Sequence, residues 1–137
     1  MMKEAQIIQL PKIFDKRGNL SFFENVKQIP FQLERVYWIY DVPGGEIRGS
    51  HAFKEQQEFI VALSGSFDVI IHNGEEEKTF SMNRSYYGLY IPRLIWRRID
   101  NFSTNSLALI GSDRQFDPND YIRDFEEFKT QNNEKDA

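Results

Sequence analysis

Apolar and polar positions alternate along most of this chain in short runs. Residues 34–41 (ERVYWIYD) show the pattern best: Arg35, Tyr37 and Ile39 share one face, and Val36, Trp38 and Tyr40 share the other. A period of two in a segment rich in aromatic and β-branched residues predicts a strand. Residues 47–53 predict the next strand; there Arg48 faces away from His51 unless Gly49 marks a bulge. Residues 57–64 and 66–72 read as a strand pair around Gly65. His72-Asn73-Gly74 reads as a tight two-residue turn at an exposed hairpin tip, with residues 78–82 returning. Residues 85–91 and 95–99, separated by Pro92, and residues 106–112 complete the strand set. At the N-terminus, residues 5–14 and 20–24 form a hairpin across the Asp15–Asn19 turn.

The period then lengthens. Asp117-Pro118-Asn119-Asp120 predicts a helix start, and Tyr121, Ile122, Phe125 and Phe128 supply its apolar face. Residues from about 130 to 137 are polar and read as a frayed tail. Short strands joined by short turns predict a single all-β domain over residues 1–137, a sandwich or barrel with a short C-terminal helix.

Composition narrows the function classes. The 137 residues are 40% hydrophobic with 12 Phe, enough for one sizeable core. A net charge of −4 argues against general affinity for nucleic acid or anionic membranes. Cysteine is absent, which removes thiol chemistry and suits a reducing cytoplasm. No apolar run is long enough to span a bilayer. The expected setting is cytoplasmic.

Two histidines remain as candidate proton carriers. His72, at the expected hairpin tip, reads as solvent-exposed and silent. His51 lies among Arg48, Glu58 and strand residues, and a neutral imidazole there can take a proton and return it. Arg35 and Arg48 lie in apolar strands, where a guanidinium is costly to bury without an anion; a phosphate matches its fork of donors.

The run from Gly45 to Gly65, GEIRGSHAFKEQQEFIVALSG, resembles the first signature of the cupin superfamily, which implies a jelly-roll (double-stranded β-helix) barrel with a site in its mouth. Pro92 to Asn101 resembles the second signature. In metal-binding cupins, the positions of His51, Phe53, Glu58 and Arg97 hold His, His, Glu and His. Phe53 and Arg97 therefore remove two ligands and bring in a cation, so neither metal nor other cofactor is expected.

The whole chain is similar to the nucleotide-sugar 3,4-ketoisomerases, a cupin family acting on dTDP-4-keto-6-deoxyglucose. The carrying residues are Asp15–Gly18, Arg35–Tyr37, Arg48–Ala52, Gly65-Ser66, Gly88–Tyr90 and Asp120–Arg123 with Phe128. The resemblance implies conversion to a dTDP-3-keto-6-deoxyhexose, on the way to 3-amino-3,6-dideoxy sugars, without redox cofactor. It implies His51 as the base, with Arg97 or Tyr37 holding the oxyanion. It makes Arg17, Arg35, Arg48, Glu58 and Arg123 candidates for binding the substrate. It also implies a homodimer whose apolar N-terminal strands, Ile7 to Ile13, are exchanged. Phe53 departs from the family's usual His-Ala-His, which counts against a two-histidine relay and leaves a related substrate, a non-catalytic binding protein or a sugar epimerase as alternatives.

Overall fold

The computed structural model describes residues 5–136. Strands β1 (Gln6–Gln9), β2 (Lys12–Ile13), β3 (Leu20–Ser21), β4 (Arg35–Tyr40), β5 (Arg48–Phe53) and β6 (Glu58–Ser64) make the first half. Strands β7 (Phe67–His72), β8 (Glu77–Met82), β9 (Tyr87–Ile91), β10 (Trp96–Asp100) and β11 (Leu107–Ser112) follow, then β12 (Tyr121–Ile122) and helix α1 (Phe125–Asp136). Two five-stranded antiparallel sheets, ordered β1-β9-β6-β11-β4 and β12-β5-β10-β7-β8, face each other as a cupin jelly roll.

The alternation of hydrophobicity builds the core. Ile60 and Ala62 of β6, Val69 and Ile71 of β7, Leu89, Ile99, Ala108 and Ile110 point between the sheets and are buried. The other face of β6, Phe59 and Val61, is covered by Leu10, Ile29 and Phe31, so this strand is apolar on both sides. Helix α1 packs Phe128 against Ala52, Leu94, Trp96 and Ile122 on the outer face of the second sheet. On β4 the predicted parity holds: Val36, Trp38 and Tyr40 face outward with 46%, 56% and 60% exposure.

Several expectations are corrected. β6 and β7 do not pair; Gly65, at φ +66°, turns the chain from one sheet into the other, and a Cβ there would lie 2.8 Å from the Ser106 Cα. Alternation cannot distinguish a hairpin from such a corner, because both need a turn between apolar runs. The β7–β8 loop spans residues 73–76, not two residues, because Asn73 Oδ1 accepts from the backbone N–H groups of Glu75 and Glu76. His72 is consequently not a free tip residue. Its Nδ1 accepts from Gly74 N at 2.9 Å, and its ring meets Phe125 edge-on at 5.0 Å.

The predicted helix start is a 3-10 turn, Pro118–Asp120, followed by β12, because Tyr121 and Ile122 pair with Phe53 and Ala52 instead of coiling. Residues 130–136 are helical, not frayed; Asn132 is buried and donates to the Leu94 carbonyl at 2.9 Å. The N-terminal hairpin is shorter than expected, and Gln6–Gln9 pairs antiparallel with Tyr87–Tyr90 of β9. Asn132→Ala would leave the buried Leu94 carbonyl unpaired. It should cost about 1–3 kcal/mol in urea unfolding, with Asn133→Ala near neutral.

Candidate functional site

β5 carries the centre of the site. Opposite β10 it is bulged: Arg97 faces His51 and Ile99 faces Arg48, so Gly49 and Ser50 together oppose Arg98. The bulge overrides simple alternation and brings Arg48 to the same cavity as His51. That cavity, about 390 Å³, is lined by Tyr37, Trp38, Ile39, Arg48, Gly49, Ser50, His51, Arg97, Tyr121 and Arg123. A larger cleft of about 530 Å³ lies between β1 and β8, but its charged lining is Glu76, Glu77 and Lys78, with no histidine.

Beneath the cavity is a buried ionic network. Arg97 Nε and Nη2 both reach Glu58 Oε1 at 2.9 Å. Arg97 Nη2 also donates to the Tyr37 hydroxyl at 2.9 Å, and Nη1 donates to the Gly49 carbonyl at 3.1 Å. Tyr37 Oη donates to Glu58 Oε2, which also accepts from Gln56 Nε2 at 3.2 Å. Gly49 is required here: its φ is +68°, and a Cβ would come within 2.1 Å of Arg97 Nη1. Burial raises the Tyr37 phenol, and the Glu58 charge raises it further against the opposing pull of Arg97, so it stays protonated. Burial opposes the charge on Arg97, but Glu58 and Tyr37 outweigh it and raise its pKa.

His51 is buried, and its Nε2 has no hydrogen-bond partner among the described residues. Phe53 and Tyr121 meet its ring edge-on at 4.7 and 4.9 Å. Burial, then the charges of Arg97, Arg123 and Arg35, push its pKa down to about 2. The imidazole is therefore neutral at any ordinary working pH and available as a base. Arg35 stacks on Tyr37 at 4.7 Å and on Phe116 at 5.5 Å, with its Nε and Nη2 buried and without a hydrogen-bond partner among the described residues. Arg123 lies over the Tyr121 ring at 4.3 Å.

The fold thus gathers His51, Tyr37, Arg35, Arg48, Arg97 and Arg123. It places Glu58, which is 1% exposed, off the cavity wall, with both oxygens engaged by Arg97, Tyr37 and Gln56. It separates Arg17, whose side chain is 84% exposed in the β2–β3 loop and paired with Asp15 at 2.9 Å. Sequence reasoning missed Gln56, Tyr121 and Phe116. The run Asp120–Arg123 was conspicuous, but reading it as a helix put Tyr121 on a core-facing stripe.

The metal-ligand positions do not fit a metal. Phe53 is an apolar ring, Arg97 is a cation, and Glu58 has both oxygens committed. Among the described residues no group of three or more His, Asp or Glu converges.

A jelly-roll barrel whose mouth carries a neutral histidine among arginines, without a metal-ligand set among the described residues, defines a cupin-type fold. The family described as "FdtA: WxcM-like, C-terminal" matches residues 3–133, and the chain belongs to it. It is 36% identical over 126 residues to a TDP-4-oxo-6-deoxy-alpha-D-glucose-3,4-oxoisomerase from Aneurinibacillus thermoaerophilus, covering 92% of this chain and 91% of the relative. A 3,4-ketoisomerase from Helicobacter canadensis superposes with TM-score 0.92 at 35% identity, over 95% of this chain and 98% of the other. A histidine-to-asparagine variant of the 3,4-ketoisomerase QdtA from Thermoanaerobacterium thermosaccharolyticum, in complex with TDP-4-keto-6-deoxyglucose, superposes with TM-score 0.95 at 30% identity, over 98% and 97%.

Two outcomes follow from the site. Elemental analysis of the purified protein should find no stoichiometric zinc, iron or manganese, and chelator should not change activity. The second concerns pH. Between about 2 and 6.5 an unfolded His51 binds a proton that the folded one refuses, so the unfolded state holds more protons. His51's contribution to stability is therefore complete above about pH 6.5 and is lost as pH falls below it, by up to about 1.4 kcal/mol per pH unit. The stability difference between wild type and His51→Asn, from urea unfolding at pH 7 and pH 5, should move in that direction.

Proposed function

We propose that this chain is a 3,4-ketoisomerase that converts dTDP-4-keto-6-deoxyglucose to a dTDP-3-keto-6-deoxyhexose in the cytoplasm. The observation that carries this reading is the unpartnered, neutral Nε2 of His51 inside a cationic cavity. The C4 ketone makes the C3 hydrogen acidic. His51 breaks the C3–H bond, and the electron pair moves into a C3–C4 double bond while negative charge develops on O4. In the resulting enediolate the O3 proton passes to O4, relayed by a water or a hydroxyl, and the C3 carbonyl forms as the double bond's electron pair moves to C4. C4 takes a proton from the imidazolium, and O4 ends as a hydroxyl. Protons move and none is gained or lost, so the step is an isomerisation.

The developing O4 charge lies in the field of Arg97, which Glu58 holds in place; the Tyr37 hydroxyl would reach it only by turning its proton away from Glu58. A well-placed donor of this kind contributes on the order of 3–4 kcal/mol at the transition state. Arg35, Arg48 and Arg123 neutralise the diphosphate. Because Phe53 is apolar, His51 alone carries the carbon-bound proton. His51→Asn should fold, bind dTDP, and lose at least about 10²-fold in turnover measured by NMR of the product. His72→Asn should be nearly silent. Retention of most turnover by His51→Asn would refute the assignment.

The same reading includes a homodimer. Ile13, Phe14 and Leu20 of the N-terminal hairpin are 54%, 79% and 55% exposed, and the outward face of β4 is equally bare. Exchange of this hairpin between copies would cover apolar surface and carry Arg17 to the partner. Light scattering at micromolar concentration should report twice the chain mass, and Phe14→Asp should shift it toward monomer.

A further inference from the structure

Asp120 is a buried carboxylate that the proposed reaction does not use. No ion pair among the described residues includes it. Its partners are backbone groups of the bend between β5 and β6. Oδ1 accepts from Glu55 N at 2.8 Å, Oδ2 accepts from Gln56 N at 3.1 Å, and the Asp120 carbonyl accepts from Lys54 N at 2.9 Å. Two successive donors are met by two acceptor oxygens, which only a carboxylate supplies.

Both walls of the cavity depend on this clasp. On one side, the next residue is Tyr121, which lies edge-on to His51 at 4.9 Å and carries Arg123 over its ring at 4.3 Å. β12 has only two residues, so its pairing with β5 is a weak tether by itself. On the other side, the clasp fixes the backbone of Gln56, whose side chain donates to Glu58 and so touches the network holding Arg97 and Tyr37. Downstream, Ile122 and Phe128 anchor the segment in the core independently of Asp120.

We propose that Asp120 is a positioning residue that clasps the C-terminal segment to the β5–β6 bend and thereby holds Tyr121 and Arg123 against His51. The clause about turnover rests on the ketoisomerase reading; the clasp itself does not.

The test compares Asp120→Ala and Asp120→Asn with wild type. Asn keeps one acceptor and turns an amide donor toward a second donor, so its effect should lie between the other two. Asp120→Ala should fold, because Ile122 and Phe128 still anchor the segment. It should lose at least about ten-fold in kcat/KM on dTDP-4-keto-6-deoxyglucose, mainly in kcat, and bind dTDP about ten-fold more weakly through Arg123. A second readout needs no turnover: NMR titration of the His51 imidazole. The groups acting on His51 are Arg97 from β10, Arg35 from β4, and Arg123 and Tyr121 beside β12. Withdrawing the Tyr121 wall admits water and takes Arg123 away, so the imidazole pKa should rise toward 6.5. Removing a negative charge alone would move it the opposite way.

Wild-type kcat/KM and an unchanged His51 titration in Asp120→Ala would overturn the proposal, even with stability reduced. If Asp120→Ala does not fold, the same comparison is made with Asp120→Asn, and wild-type values there overturn it equally. If wild type itself fails to isomerise the keto-sugar, the functional reading falls, and the His51 titration still decides the role of Asp120.

Discussion

The cavity depends on one buried ion pair, Glu58 with Arg97. Burying either charge alone would cost several kcal/mol, and removing one partner of such a pair is strongly destabilising. The pair persists because every strong donor and acceptor around it is used. Glu58 meets Arg97, Tyr37 and Gln56, and Arg97 also reaches the Gly49 carbonyl through the bulge in β5. The bulge, the left-handed Gly49 and the turned-in Arg48 are thus parts of one arrangement. A cupin mouth that elsewhere resembles a metal site here holds a fixed guanidinium, and its polarity is reversed.

That reversal sets the chemistry available to His51. Arginines around an imidazole disfavour the imidazolium, and burial adds to the effect, so the free ring is a neutral base. The same arginines invite an anion. On the proposed reading, a bound diphosphate would offset part of their field and let the imidazole hold a proton transiently. An acidic protein with a cationic cavity also focuses its attraction on the cavity rather than spreading it over the surface.

Phe53 shows how one substitution narrows a mechanism without emptying the site. Its ring packs on both His51 and Tyr121, at 4.7 and 4.6 Å, and so helps exclude water from the imidazole. What is lost is a second proton carrier beside His51. What is kept is the enclosure that holds the His51 imidazole neutral.

The strand set, the sandwich-or-barrel class and the candidate bulge position at Gly49 were legible in the sequence, because alternation and turn residues are local signals. Arg35, Arg48 and His51 could be named because charged or titratable side chains inside apolar strands must meet something; Arg97 could be named from its place in the cupin signature, and Tyr37 and Arg123 from the family resemblance. Local signals could not say that Gly65 is a corner between sheets, since both a corner and a hairpin need a positive φ. They could not show that Glu58 lies under the cavity, because its partners Arg97 and Tyr37 are distant in the chain. Nor could they turn Tyr121 from a helix stripe to the wall beside His51, because that depends on β5 offering an edge to residues 121–122. Those choices belong to tertiary pairing, where the free energy of a contact is set by a partner that the local sequence does not contain.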